Sequence, residues 1–188
     1  MEEKLIASKI VLLGKSGVGK TSFCHRVKNN IFVNQEPTIG CEFFARKLDR
    51  VKLLIWDTAG QEIFNTFTPQ FCRNAKIALI FDDLTELYSA KDIQNYVKFL
   101  EAETVVIIVP TKYDLHTNNY IYNLHPIECD NKIILSQPIS SKDNININSL
   151  LNLIQDTIIE QTDINRSYMN NLVNINKDNN HTTKCCNI

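Results

Sequence analysis

The chain lacks an excess of charge of either sign: 20 Lys and Arg stand against 21 Asp and Glu, for a net charge of −1. With so little basic surplus there is no counterion release to drive binding of DNA or RNA, so nucleic acid is not an expected partner. Long hydrophobic runs are also missing, none approaching the roughly 18 residues that a membrane span needs. The opening MEEKLIASKI has no basic stretch leading into an apolar signal core. A cytosolic protein is the expectation. Paired cysteines are absent from the body of the chain: Cys24, Cys41, Cys72 and Cys129 stand alone, with no C-x-x-C and no histidine at ligand spacing. They read as reduced, packed thiols. His25, His116, His125 and His181 are equally scattered and receive no chemistry. No internal repeat is found.

What is present suits one ordinary domain. A chain of 188 residues buries roughly 70% of its unfolded surface without staples. Short apolar runs at 9–14, 51–57, 77–82, 104–110 and 132–138 are rich in Leu and β-branched residues and bounded by Gly, Pro or Asp. Helix-like stretches at 20–29, 65–74, 89–102, part of 115–126, and 146–161 lie between them. Strands apolar on both faces, alternating with helices, predict a mostly parallel sheet covered on both sides. The segment EFFARKLDRVKLLIW reads as two strands joined around Asp49 and Arg50, a hairpin that adds one antiparallel edge strand. The predicted fold class is therefore α/β, a three-layer sandwich whose six-stranded sheet carries helices on both faces. After about residue 162 the chain turns Asn-rich and loses sustained periodicity, so 1–162 reads as the folded domain and 163–188 as a flexible tail. As a random coil, about 22 such residues span on the order of 25 Å.

Gly14-Lys15-Ser16-Gly17-Val18-Gly19-Lys20-Thr21 fits G-x-x-x-x-G-K-[ST], with an apolar strand before it and a helix after it. Glycines let the backbone wrap a polyphosphate with its N–H groups turned inward, and the following helix adds its positive end. Lys20 reaches the β- and γ-phosphates in such a loop, and the Thr21 hydroxyl serves Mg²⁺. Thirty-six residues later, Asp57 ends a buried strand in LLIWDTAGQEIF, where a carboxylate can hold the hydration shell of that ion. Gly60 offers an unobstructed backbone N–H for a γ-phosphate, and the Gln61 amide can both accept from and donate to an attacking water.

Taken together, GKSGVGKT at 14–21, PTIG at 37–40, WDTAGQE at 56–62, TKYD at 111–114 and SSK at 140–142 resemble the Ras superfamily of small GTPases, in order and spacing, over about residues 8–162. TIGCEF at 38–43, TPQFCRNA at 68–75 and the terminal cysteine pair are similar to the Rab branch. The resemblance implies a P-loop domain that binds GTP or GDP with Mg²⁺ and slowly hydrolyses GTP. By that resemblance, residues 16–22 (Ser16, Gly17, Val18, Gly19, Lys20, Thr21 and Ser22) cradle the phosphates, and Thr38 coordinates Mg²⁺ and touches the γ-phosphate. Phe32 lies against the base or ribose, Lys112 and Asp114 recognise guanine, and Ser140, Ser141 and Lys142 close the base pocket. Lys20, Thr38 and Gln61 would be the catalytic set, and Thr21, Thr38 and, through water, Asp57 the metal set. The pattern departs from typical Rab proteins at Thr111, where Asn is usual, at Ile63, where Arg is usual, and at Asn74, where Gly is usual. Several loops are also a few residues shorter.

No arginine finger is evident, and an activating protein that supplies one accelerates such sites by about 10³- to 10⁵-fold. A switch follows, its γ-phosphate ordering about 32–42 and 58–74. The resemblance implies partners accordingly: an exchange factor, a GTPase-activating protein, a GDP-dissociation inhibitor or escort protein, and effectors that read Ile39, Gly40 and the aromatic triad Phe43, Trp56 and Phe71. Lys47, Arg50 and Lys52 read as a solvated face. Cys185 and Cys186, in the closing HTTKCCNI, look like acceptors for two geranylgeranyl groups, since one lipid gives marginal binding and two make anchorage stable. The expected location is the cytoplasmic face of intracellular membranes, cycling with cytosol, in vesicle traffic. Alternatives are a non-hydrolysing GTP-binding scaffold, a switch of another branch such as Rho, and a P-loop kinase for a small metabolite.

Overall fold

The computed structural model describes residues 5–33, 38, 40–58, 68–86, 90–116 and 127–180. Its elements follow the order β1 (Ile6–Leu13), α1 (Lys20–Asn29), β2 (Cys41–Lys47), β3 (Val51–Thr58), α2 (Thr68–Cys72), β4 (Ile77–Asp83), α3 (Ala90–Val97), β5 (Val105–Thr111), β6 (Ile133–Leu135) and α4 (Ile147–Asn180). The six strands form one sheet in the order β2-β3-β1-β4-β5-β6. All neighbours are parallel except β2 and β3, whose antiparallel register sets Phe43 opposite Trp56. The hairpin turn closes through the Leu48 N–H on the Val51 carbonyl at 2.9 Å.

Alternation along the strands divides the core into two layers. Ile10 and Leu12 of β1, Leu79 and Phe81 of β4, and Ile107 and Val109 of β5 face one side. There they meet Phe23, Cys24 and Val27 of α1 and the stripe Ile147, Leu150, Leu151, Ile154 and Ile158 of α4, spaced as one helical face requires. Val11, Leu13, Ala78, Ile80, Val106 and Ile108 face the other side and are covered by Cys72, Ile93, Tyr96 and Val97. Strands apolar on both faces are thus explained by helices on both faces. β1 lies where the chain builds outward in both directions, with β3 on one side and β4 on the other, so a crevice opens past its C-terminal end.

Several predicted spans differ from the fold. α3 stops at Val97 rather than 102, because the Phe99 and Leu100 N–H groups bond back three residues, to Tyr96 at 3.1 Å and Val97 at 2.9 Å. That tighter turn releases the chain toward β5. α2 is confined to Thr68–Cys72 within the expected 65–74, residues before Thr68 lying outside the described ones. The flexible tail expected from 163 is corrected over its first part: α4 continues as helix to Asn180. Its 34 residues contain neither Gly nor Pro, so nothing in the backbone chemistry halts the helix where the apolar stripe ends. The helical stretch expected within 115–126 begins with a 3-10 turn, Tyr113–Leu115, and 117–126 lie outside the described residues. Among the described residues, no helix is long and apolar enough to cross a membrane.

Candidate functional site

The crevice at the end of β1 is a cleft of about 550 Å³. Residues 16–22 line one end; Thr111, Lys112, Asp114, Leu115, Ser141 and Lys142 line the other, with Phe32, Val33 and Thr38 along the side. The loop owes its shape to glycine. At Gly14 (φ 139) the backbone runs so near β4 that a Cβ would stand 2.6 Å from the Phe81 carbonyl oxygen. Gly19 caps α1 in the left-handed region at φ 102, which leaves the helix N-terminus bare toward the cleft.

Lys20, the first residue of α1, is buried, and its ammonium donates to the carbonyls of Gly14 at 2.8 Å and Lys15 at 3.0 Å. Burial lowers its pKa to about 8, against the opposing pull of Asp57. A polyanion in the cleft would draw the charged form back, since it supplies the counter-charge that burial removes.

Beside it three oxygens converge. The Thr21 hydroxyl donates to Asp57 Oδ2 at 2.7 Å and, its one proton committed there, accepts from the Thr38 hydroxyl at 2.5 Å. Asp57 Oδ1 is buried with no hydrogen-bond partner among the described residues, and burial raises the pKa of the carboxyl. Two hydroxyls and a carboxylate with a bare oxygen form a hard-oxygen set that fits a small divalent cation such as Mg²⁺, completed by water and phosphate oxygens. Among the described residues no group of three His, Cys, Asp or Glu gathers to hold a metal without such help.

At the far end, the buried Thr111 hydroxyl lies 2.8 Å from the Val18 carbonyl and 3.0 Å from that of Asp82. It therefore ties the glycine loop to the ends of β4 and β5 with a hydroxyl where an amide was expected. Lys112 takes a left-handed backbone (φ 57), and its ammonium reaches Asp83 Oδ2 at 2.5 Å. Asp83 is itself oriented by the Thr85 N–H and hydroxyl at 2.9 and 2.7 Å. Asp114 Oδ1 accepts from Ser140 Oγ at 2.7 Å, which leaves the outer oxygen, 3.8 Å from the Lys142 ammonium, facing the cleft. A carboxylate so held can accept two donors in one plane from a ring N–H and an adjacent amine.

Outside the cleft, the predicted aromatic triad is contiguous. Phe43 and Trp56 have ring centres 5.1 Å apart, and Trp56 and Phe71 are 6.1 Å apart. Phe43 is 50% exposed, so its ring is surface and not core. Gly40 lies at φ 82 just before β2. Asn74 adopts φ 58, a conformation that Asn tolerates better than most non-glycine residues, which accounts for its standing where Gly was expected. Ile39, Gly60, Gln61, Ile63, Cys185 and Cys186 lie outside the described residues. Sequence reasoning missed Asp83 as the anchor of Lys112, and Val33 and Leu115 as walls. The Asp82-Asp83 doublet ending a buried strand was the available signal for the first.

Comparison with known proteins agrees with this geometry. The Ras family model matches residues 9–160. The Ras-related protein Rab-17 of Mus musculus is 35% identical over 164 residues, covering 82% of this chain and 77% of its own length. The Ras-related protein RabC of Dictyostelium discoideum is 30% identical over 199 residues, covering 99% of this chain and 100% of its own. The GTP-binding protein YPT53 of Saccharomyces cerevisiae is 40% identical over 120 residues, 59% of this chain and 54% of its own. With a glycine-rich loop, an oxygen triad and an oriented carboxylate in one cleft, the chain belongs to the Ras family and, within it, to the Rab small GTPases, enzymes that bind guanine nucleotide, hydrolyse GTP and act as switches in membrane traffic.

Proposed function

We propose that residues 16–22 cradle the phosphates of GTP, that Thr21, Thr38 and, through water, Asp57 hold its Mg²⁺, and that Asp114, Lys112, Ser140, Ser141 and Lys142 select guanine. The observation that carries this reading is the Thr38–Thr21–Asp57 chain of oxygens, ending in the bare buried Asp57 Oδ1, beside the buried ammonium of Lys20. Lys20 holds the β- and γ-phosphates and meets the negative charge that develops between them as the bond breaks. When bound, Mg²⁺ neutralises phosphate oxygens. Gln61, four residues after Asp57 in the chain, orients the attacking water, and Gly60 gives its N–H to the γ-phosphate. Thr38 is drawn toward the γ-phosphate, so loss of that phosphate on hydrolysis releases the segment, about 32–42, that contains Thr38.

The switch works on a membrane through lipids on Cys185 and Cys186, for which geranylgeranyl groups are the chemistry that a paired-cysteine ending suggests. An exchange factor, an activating protein, a GDP-dissociation inhibitor or escort, and effectors complete the cycle. The exposed Phe43, in contact with Trp56 and through it Phe71, supports an effector surface between the two switching segments, extended by Ile39 and Gly40. The test is to denature the purified full-length protein and identify the released nucleotide by chromatography. Wild type is expected to release GDP near one per chain, and Gln61→Leu to release mostly GTP. An empty site, or GDP from both proteins, would overturn the assignment of these roles.

A further inference from the structure

We propose that Arg26 is a positioning residue that fixes the guanine end of the cleft by clamping both of its walls to α1. Arg26 lies in the last turn of α1, six residues after Lys20, and belongs to neither the phosphate loop nor the base-reading segments. Its Nε donates to the Ser141 carbonyl at 2.8 Å and its Nη2 to the Lys142 carbonyl at 2.8 Å. Its Nη1 donates to the Asn30 carbonyl at 2.8 Å and to Asn30 Oδ1 at 3.2 Å. One guanidinium therefore holds three backbone carbonyls from two parts of the chain. The first two belong to the loop whose Ser141 and Lys142 line the cleft. The third belongs to the left-handed residue that ends α1 (φ 55), two residues before Phe32, which also lines the cleft.

The loop carrying Ser141 and Lys142 is already closed on itself by reciprocal Ser140–Ile145 backbone bonds of 3.2 and 3.0 Å and by the Asp143 N–H on Ser140 Oγ at 3.0 Å. These bonds shape it without fixing its place against α1. The Arg26 contacts do that, and only a planar fork can serve such a set of acceptors, since a lysine ammonium is a single point on a flexible stem. A base pocket held in place before nucleotide arrives loses little ordering entropy on binding, and a loosened one binds as if only part of its population were competent.

The proposal rests on the cleft holding guanine nucleotide. Its test loads full-length wild type, Arg26→Ala and Arg26→Lys with fluorescent GDP in Mg²⁺ and times release into excess unlabelled GDP. Single-turnover hydrolysis of preloaded GTP is followed in parallel. Arg26→Ala is expected to release GDP roughly tenfold faster, the scale of lost charge-assisted hydrogen bonds. Arg26→Lys is expected to lie near Arg26→Ala, and the defect to fall on release far more than on hydrolysis, because the clamp is at the base end. Release at the wild-type rate, full rescue by lysine, or equal loss of release and hydrolysis would each overturn the clamp. Failure of wild type to retain GDP would instead overturn the reading of the cleft, and the clamp with it.

Discussion

At the scale of single residues, the candidate site is a set of polar groups that satisfy one another except at the buried Asp57 Oδ1. Thr111 shows how a departure from the expected pattern is absorbed. Its hydroxyl has one proton and two carbonyls within reach, Val18 at 2.8 Å and Asp82 at 3.0 Å, so it donates to one at a time and still ties the two segments. Thr111→Val keeps the shape and removes the donor, leaving a buried carbonyl unserved. The expected cost is about 1–3 kcal/mol in urea unfolding, with faster GDP release because Val18 lines the cleft. Unchanged unfolding and release would mean that the hydroxyl bonds contribute nothing net. Cysteine gives a second case. Cys72 is fully buried, and burial pushes its thiol up to about 11, with Lys9 pulling the other way. At pH 8 it is expected to resist iodoacetamide in the folded protein and to react once urea unfolds it. The raised value also fixes the sign of a stability term. Between pH 9 and 11 the folded state keeps a proton that the unfolded chain has lost, so this group's contribution falls as pH rises through that window, which alkaline unfolding curves of wild type and Cys72→Ala compare. The segments that line the cleft were legible because their motifs are local in sequence. Asp83 and Arg26 were not, since their partners, Lys112 and Ser141, become neighbours only after the chain has folded.

At the scale of elements, legibility followed burial. β4 and β5 are buried along almost their whole length, so their apolar runs marked them from the sequence nearly to the residue. β1 begins earlier than its apolar run suggests, at Ile6, because Ile6-Ala7-Ser8 pairs with Val51-Lys52-Leu53 although Ile6 is half-buried, Ala7 is exposed and the buried Ser8 is polar. Such a stretch carries little hydrophobic signal. α4 was the reverse case: among the described side chains its buried stripe ends at Ile158, while the helix continues to Asn180. Ile164 is 61% exposed, and Asp163, Arg166 and Ser167 are exposed as well. None of the described side chains beyond 162 is a buried apolar one, and the helix there contains no Gly or Pro. A chain ending at Thr162 is accordingly expected to keep GDP binding and to melt within a few degrees of the full protein, while losing ellipticity at 222 nm. A drop above about 10 °C, several kcal/mol for a domain of this size, would show that the later part of α4 packs on the domain.

At the scale of the whole molecule, the cleft is a seam between parts that the sheet alone does not join. The phosphate loop follows β1, Asp57 lies near the end of β3, Thr111 ends β5, and Ser141 precedes α4. The core below them is continuous across the sheet, yet these ends meet chiefly through polar contacts such as Thr21 to Asp57 and Thr111 to Val18. A ligand that touches all of them adds its binding free energy to folding, by an amount that grows with the logarithm of its concentration. At a hundredfold excess over its dissociation constant the gain is about 2.7 kcal/mol, which for a domain of this size raises the melting temperature by roughly 5–10 °C. GDP with Mg²⁺ is expected to produce that rise in nucleotide-stripped protein, measured by scanning calorimetry. ADP with Mg²⁺ at the same concentration offers the same phosphates to Lys20 and Thr21, but the adenine ring cannot give Asp114 the paired donors its outer oxygen is held to accept. It should therefore move the transition by a small fraction of the GDP effect. Equal shifts would mean that the phosphate end carries the binding alone and that Asp114, however well oriented, reads no base.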